Sequence, residues 1–394
     1  VLRGPQGTLY GKNTIGGAIK YVSAPLGNES SAQVEVGVGN YNERDLKASL
    51  NMAPSDTFAL RLAGAKITHD GYGENVITGS DVSDKNTEAV RASARWTPSD
   101  DFEVRASLDY TRDGSGIRGA KRLAPNRFDP ATPDRPANSN NYDVDSDFAN
   151  INWTQAKGAS VAIDWSLSDS TSLKSITAYR ESATDTYIDF DTLPSPIANV
   201  RGFYSDHQFS QELQAIYDGD GAFQGVAGLY YFDGTAGGQV RNNFFGLVFG
   251  DTQGATDTES WAAFGEGTYG FTDALNLTVG LRYTSEKKSA DVLNRFYTDG
   301  TYTTLRPVAP IAADFNKSKT FSSFSPRVVI DWTVAEDVML YASAARGFKS
   351  GGYNIRANSV AVPRSAEPFD DEQITTYEAG AKTSWADGRY VVNA

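Results

Sequence analysis

Hydrophobic and polar positions alternate with a period of two along most of the chain. Leu275, Leu277, Val279, Leu281 and Tyr283 interleave with Asn276, Thr278, Gly280 and Arg282. Phe102, Val104, Ala106, Leu108 and Tyr110 interleave with Glu103, Arg105, Ser107, Asp109 and Thr111. Val161, Ile163, Trp165 and Leu167 alternate with Ala162, Asp164 and Ser166. Successive side chains of a strand point to opposite faces, so each segment predicts a strand with one apolar and one polar side.

Short polar connections recur at Pro54-Ser55-Asp56, Pro98-Ser99-Asp100, Ser168-Asp169-Ser170, Asp218-Gly219-Asp220-Gly221, Thr272-Asp273, Ala335-Glu336-Asp337 and Asp387-Gly388. All are hairpin chemistry. Between them fall longer connections, at 70–86, 113–150, 189–201, 234–257, 289–316 and 349–369, rich in Gly, Asn, Asp, Pro and scattered aromatics. Short and long connections alternate. In an antiparallel meander this collects the short turns at one end and the long loops at the other, as in outer-membrane barrels. The long-loop end, 113–150 included, is then expected outside the cell.

About 15 strands start near Ala32, and they run to about 10–16 residues against about 5–6 in soluble sheets. A soluble propeller would need a repeat of about 40–50 residues, and none is found. The predicted fold is therefore all-β: an antiparallel transmembrane β-barrel of the kind whose large plugged members have about 22 strands. A sheet of about 15 strands would leave two unpaired edges in lipid. The chain also starts at Val1 without a signal-peptide pattern, so it is expected to be a piece of a longer protein.

Composition narrows the classes. A net charge of −13 gives nucleic-acid binding no electrostatic footing. The absence of cysteine removes disulfides and thiolate metal sites. Mean hydropathy is −0.42 with no apolar run long enough for a spanning helix, which is compatible with a barrel because alternation cancels averaged hydropathy. The 12% aromatic content would supply interfacial girdles.

The amino-terminal stretch differs from everything after it. Gly4, Pro5, Gly7, Gly11, Gly16 and Gly17 crowd the seventeen positions from Arg3 to Ile19. Gly costs about 1 and Pro about 3 kcal/mol inside a helix, so this composition predicts a knot of tight turns with positive φ.

Leu2-Arg3-Gly4-Pro5-Gln6-Gly7, Leu9-Tyr10-Gly11 and Asn13-Thr14-Ile15-Gly16-Gly17-Ala18-Ile19 closely resemble the end of the plug domain of TonB-dependent outer-membrane receptors. Later phrases resemble the same family in the right order. They are Phe209-Ser210-Gln211-Glu212-Leu213, Phe324-Ser325-Pro326-Arg327, Leu340-Tyr341-Ala342-Ser343, Arg346-Gly347-Phe348-Lys349-Ser350-Gly351-Gly352-Tyr353-Asn354 and Tyr377-Glu378-Ala379-Gly380-Ala381-Lys382. The resemblance implies the carboxyl end of a plug over residues 1–27 and an incomplete barrel over 28–394. It implies an integral protein of the Gram-negative outer membrane that captures a scarce extracellular solute and imports it with energy from TonB and its inner-membrane proton-motive complex. A ferric siderophore heads the expected solutes, followed by cobalamin, haem and oligosaccharide; a passive porin or structural barrel is the rival class, and it needs no plug. No enzyme activity and no cofactor are expected.

In this family the plug arginine can pair with glutamates of the barrel wall. The resemblance places Arg3 in that role, with Glu378 as its first partner and Glu212 as the second. Parity agrees, because Tyr377, Ala379, Ala381 and Trp385 form an outward set that leaves Glu378 inward, while Phe209, Leu213 and Tyr217 leave Glu212 inward. Other constellations fail. Gly11-Lys12 lacks both the earlier glycine of a phosphate loop, where Gln6 stands, and its Ser or Thr, where Asn13 stands. His69 and His207 have no metal-ligand spacing. Asp143, Asp145 and Asp147 alternate as a calcium loop would, but lack its glycine and distal glutamate.

Overall fold

The computed structural model describes residues 1–125, 134, 136–147 and 150–394. Its wall is a single sixteen-stranded antiparallel sheet. The first strands are β1 (Ser31–Gly39), β2 (Glu43–Ser55), β3 (Phe58–His69), β4 (Lys85–Ser99) and β5 (Phe102–Asp113). Longer ones follow: β6 (Asn152–Ser168), β7 (Thr171–Asp189), β8 (Ala198–Asp218), β9 (Phe223–Phe244), β10 (Val248–Thr272) and β11 (Leu275–Tyr297). The sheet ends with β12 (Ile311–Phe324), β13 (Arg327–Ala335), β14 (Val338–Lys349), β15 (Glu372–Trp385) and β16 (Tyr390–Asn393).

Strands pair with their neighbours in chain order, with one exception. β12 and β13 lie end to end on β11, β12 along Tyr283–Arg295 and β13 along Leu275–Gly280. The break falls at Ser325-Pro326, where proline cannot donate to the ladder. Taken as one interrupted crossing, the two reduce sixteen strands to fifteen, in agreement with the count from alternation. Among the described residues no ladder joins β1 to β16, so the barrel is not closed within this chain.

The faces follow the predicted parity. On β11, Arg282 and Thr284 are buried while Val279, Leu281 and Tyr283 are exposed on the opposite side. Outward aromatics recur eight residues apart, as in Phe102 and Tyr110, Phe223 and Tyr231, and Trp261 and Tyr269. Eight residues span about 26 Å of strand, roughly 20 Å after tilt, close to the ~25 Å apolar band that aromatic girdles flank.

β9, β10 and β11 have 22, 25 and 23 residues, whereas about 9–11 cross a bilayer. They therefore continue well beyond it, which corrects one expectation. The stretch 234–257 is not a loop but paired ladder, Phe244 opposite Val248, with only Phe245, Gly246 and Leu247 as its turn. Beyond the bilayer neither face has to be apolar, so alternation fades while backbone pairing persists. For the same reason the connections expected at 189–201 and 289–316 shrink to 190–197 and 298–310. The connection after β14 folds onto the inner face, where Tyr353 and Ala357 pack with Ala290, Val292 and Ala313.

Candidate functional site

The amino-terminal segment makes its own small frame before it meets the wall. Leu2-Arg3 pairs with Gly17-Ala18, and the Gln6 amide donates to the Thr14 carbonyl at 3.0 Å. Between them lies one helical turn, α1 (Gly7–Tyr10). Two glycines are required by backbone geometry. Gly11 has φ +78° and ends α1. At Gly17, with φ +135°, a Cβ would stand 2.3 Å from the Leu2 carbonyl oxygen. Gly4 also has positive φ, whereas Gly16 faces open space.

This frame seats on the inner face of β10, β11 and β14. Wall glycines make room for it. A Cβ at Gly347 would lie 3.0 Å from Pro5 Cβ, and one at Gly280 would lie 2.7 Å from Thr8 Cγ2. Thr8 Oγ1 donates to the Ser325 carbonyl at 3.0 Å, using the β12–β13 interruption as an acceptor. The Asn13 amide donates to the Phe348 carbonyl at 2.9 Å, and the Ser350 amide returns a bond to Asn13 Oδ1 at 3.1 Å. Tyr10 is exposed.

One carboxylate organises the seam. Glu286 is buried on β11, its side chain 2% exposed, and forms an ion pair with Lys12. Its other oxygen accepts from Ser350 Oγ at 2.5 Å and lies 3.2 Å from Lys288 Nζ. Lys288 Nζ also donates to the Gly351 carbonyl at 2.6 Å. Lys12 Nζ stands 4.5 Å from the Phe232 ring centroid, a cation–π distance. The amino-terminal segment, the wall and the start of the β14–β15 connection thus meet at one buried ionic cluster.

The glutamates singled out from the sequence sit elsewhere. Glu378 accepts from the Tyr341 hydroxyl at 2.5 Å. Arg3 is exposed, and among the described residues no ion pair joins it to Glu378 or Glu212. Glu212 accepts from Gln214 Nε2. It lines, with Lys12, Tyr230 and Arg282, a cavity of about 550 Å³ beside α1. Arg282, on β11, lies buried between the Tyr230 and Phe264 rings, and its Nε donates to Thr284 Oγ1 at 3.1 Å. Parity places Glu286 and Lys288 inward, continuing Thr278, Gly280 and Arg282; that signal was available in the sequence. Nothing local linked either of them to Lys12.

Asp143, Asp145 and Asp147 do not converge. Asp143 accepts from the Glu74 amide, Asp145 from Arg122 and Asn138, and Asp147 from Asn199. His69 bonds to the Asp70 carbonyl and stacks on Tyr72.

Long antiparallel strands, two aromatic belts and a segment seated on the inner face define a transmembrane β-barrel of the outer-membrane type. The chain belongs to the TonB-dependent receptors. Residues 95–394 match the family model described as TonB dependent receptor-like, β-barrel, and members of this family are transport receptors rather than enzymes. The chain is 24% identical over 412 residues to the pesticin receptor of Yersinia enterocolitica, covering 98% of this chain and 54% of that protein. It therefore spans about half the length of the curated relatives it matches. Among solved structures, the ferric yersiniabactin uptake receptor FyuA of Yersinia pestis superposes with a TM-score of 0.80 at 21% identity, over 98% of this chain and 57% of that one. The ferric-catecholate import receptor Fiu of E. coli K12, in its closed form, gives 0.71 at 14% identity, over 100% and 61%.

Proposed function

We propose that the whole protein imports an extracellular iron chelate of the siderophore type across the outer membrane, driven by TonB. In this reading residues 1–27 are the end of a plug, 28–394 are barrel wall, and the long loops face the outside. The observation that carries it is the Lys12–Glu286–Ser350 cluster. A passive pore has no use for a separate segment fastened to its inner wall by a buried ion pair. A gated transporter needs such a fastening, strong enough to hold and confined enough to be pulled apart. The names of the similar proteins, which include ferric yersiniabactin and ferric-catecholate receptors, favour an iron chelate over the other solutes.

The cluster also supplies a route for ligand sensing. Ser350 and Gly351 bond to the Glu286–Lys288 pair, and Tyr353 to Ala357 of the same connection pack on the inner face above it. A ligand that displaced this connection would withdraw Ser350 from Glu286 and loosen the hold on Lys12. The test is uptake of a 55Fe-loaded phenolate siderophore and a 55Fe-loaded catecholate siderophore. Cells would lack their own receptors and carry the complete gene, with and without TonB. TonB-dependent accumulation of either is expected. Accumulation that persists without TonB would establish the passive-pore reading instead.

A further inference from the structure

The connection that leads from the seated segment to β1 is held in its second half only. Among the described residues no hydrogen bond or ion pair holds 20–23, and Tyr21 and Val22 are exposed. Beyond them the inner wall takes hold. Arg61, on β3, donates from Nη1 to the Ala24 carbonyl at 2.8 Å and from Nη2 to the Pro25 carbonyl at 3.0 Å. Its Nε donates to Oδ1 of Asn51, which lies opposite it on β2. The Asn51 amide donates in turn to Ser31 Oγ at 2.7 Å, at the first residue of β1. Two weaker holds follow: Arg95, on β4, reaches the Asn28 side chain, and the Ala53 amide donates to Ser30 Oγ at 3.1 Å.

Arg61 spends its whole guanidinium on neutral oxygens. Among the described residues it forms no ion pair. The two carbonyls it takes stand in a stretch that no ladder serves, where Pro25 has no amide to offer and keeps Ala24 extended. A planar fork can hold two backbone oxygens in one fixed geometry, which an ammonium cannot. Hydrogen bonds from an ionised donor are also roughly twice as strong as neutral ones. Arg61 is thus the one side chain among the described residues that grips the backbone of the connection, and Asn51 holds it in place.

We infer that Arg61 is a positioning residue for the gating movement: it clamps the connection at Ala24-Pro25, so that a pulled segment comes away as far as Ser23 and no further. This rests on the reading of residues 1–27 as the end of a plug. With the clamp closed, the freed segment hangs on the chain from Ala18 to Ala24, at most about 20 Å when extended. With the clamp open, the tether runs to the Ser30 hold and is about twice as long. Doubling a flexible tether lowers the local concentration of its end by roughly threefold. The clamp therefore keeps the freed segment within reach of its seat at Glu286, and the slack needed to leave that seat is confined to the unbonded residues just before Ala24.

The experiment is single-molecule force spectroscopy on the complete receptor in lipid vesicles, pulled by its amino terminus without solute or TonB. It reads the chain length at which resistance appears. It can therefore fail while 55Fe uptake succeeds, and the reverse. The parent should resist when the chain is drawn out to Ala24, and again at β1 after about 25 Å more. Arg61→Ala should abolish the first peak and leave the second. Arg61→Lys should keep a weaker peak at the same length, because an ammonium reaches one carbonyl but not both. Six Gly and Ser residues inserted between Val22 and Ser23 should move the first peak outward by about 20 Å with its force unchanged. Arg91→Ala, farther along the same inner face and bonded only to Ser107, should leave both peaks as they are. A parent without a peak at Ala24, a peak that survives Arg61→Ala, or an equal loss with Arg91→Ala would overturn the assignment. Should Arg61→Ala fail to fold, Asn51→Ala decides: a lowered first peak is expected, and an unchanged one would overturn the clamp.

Discussion

The seam makes a quantitative prediction at Glu286. Replacing it by alanine leaves Lys12 and Lys288 facing each other, and Ser350 loses its acceptor. Breaking a buried pair by removing one partner costs about 3–5 kcal/mol. The Lys12 side chain is 25% exposed, so solvent screens part of this. About 3 kcal/mol of seating free energy is a fair figure for Glu286→Ala, roughly a hundredfold shift towards the unseated segment. Lys12→Met should cost less, about 1–2 kcal/mol, because Glu286 keeps Lys288 and Ser350. Permeability of cells carrying the complete receptor to vancomycin, a solute too large for ordinary porins, reports unseating. Both single variants should leak, Glu286→Ala more, and the double variant should leak less than the sum of the two free-energy changes requires. The reasoning fails if the two changes add to within about 0.5 kcal/mol, the additivity of non-interacting sites. Arg3→Ala with Glu378→Ala serves as the contrast and should be additive, because the structure brings those two side chains into no ion pair.

Two further predictions concern the wall and a loop. Leu281 faces outward on β11, opposite Gly265 and midway between the Trp261 and Tyr269 belts, so Leu281→Lys should destabilise the folded barrel by about 2–4 kcal/mol, read by urea titration in lipid; Thr278→Lys, on the inner face, should cost far less. Asp191, in the connection between β7 and β8, has its carboxyl pushed up to about 6, by burial first and then by the neighbouring Asp189, against the opposing bonds from the Ala198 and Leu193 amides. An acid whose folded value is raised is penalised when ionised. The folded loop should therefore gain stability as pH falls from about 7 towards 4 and lose it as pH rises through about 6, measured by hydrogen exchange over 190–197. Asp189→Asn should move that midpoint to lower pH, and an unchanged midpoint would remove Asp189 as a cause.

What could be read without the structure follows from how local each cause is. Faces were legible because alternation is written residue by residue, and the turns because Asp, Ser, Gly and Pro carry their own backbone preferences. Strand extent beyond the bilayer was not, since a polar hairpin such as Gly234 to Asp257 looks like a loop when no apolar solvent imposes a pattern. The amino-terminal phrase was legible as a knot of turns, and its glycines at 11 and 17 do take positive φ. The fastening was not. Lys12 and Glu286 lie 274 residues apart, and Glu286 belongs to the run Glu286-Lys287-Lys288, which reads as a solvated charge cluster until the wall is curved around it.

That difference bears on mechanism. Arg3 stands near the start of the seated segment and is exposed, whereas Lys12 follows α1 at its far end, two residues before Thr14 closes back on Gln6. A pull on the chain ahead of Arg3 would first load the Leu2–Ala18 and Arg3–Gly17 pairing and then α1. It would reach the Lys12–Glu286 pair only after Thr8 had left the Ser325 carbonyl. The buried ion pair thus opens late from the amino-terminal side, next to the Asn13 bonds to the Phe348 carbonyl and the Ser350 amide that follow it. Its carboxylate also accepts from Ser350 Oγ, at the root of the connection that folds inward from β14. Mechanical release and ligand sensing would converge on the same carboxylate from opposite sides, and neither alone would have to break all of its bonds.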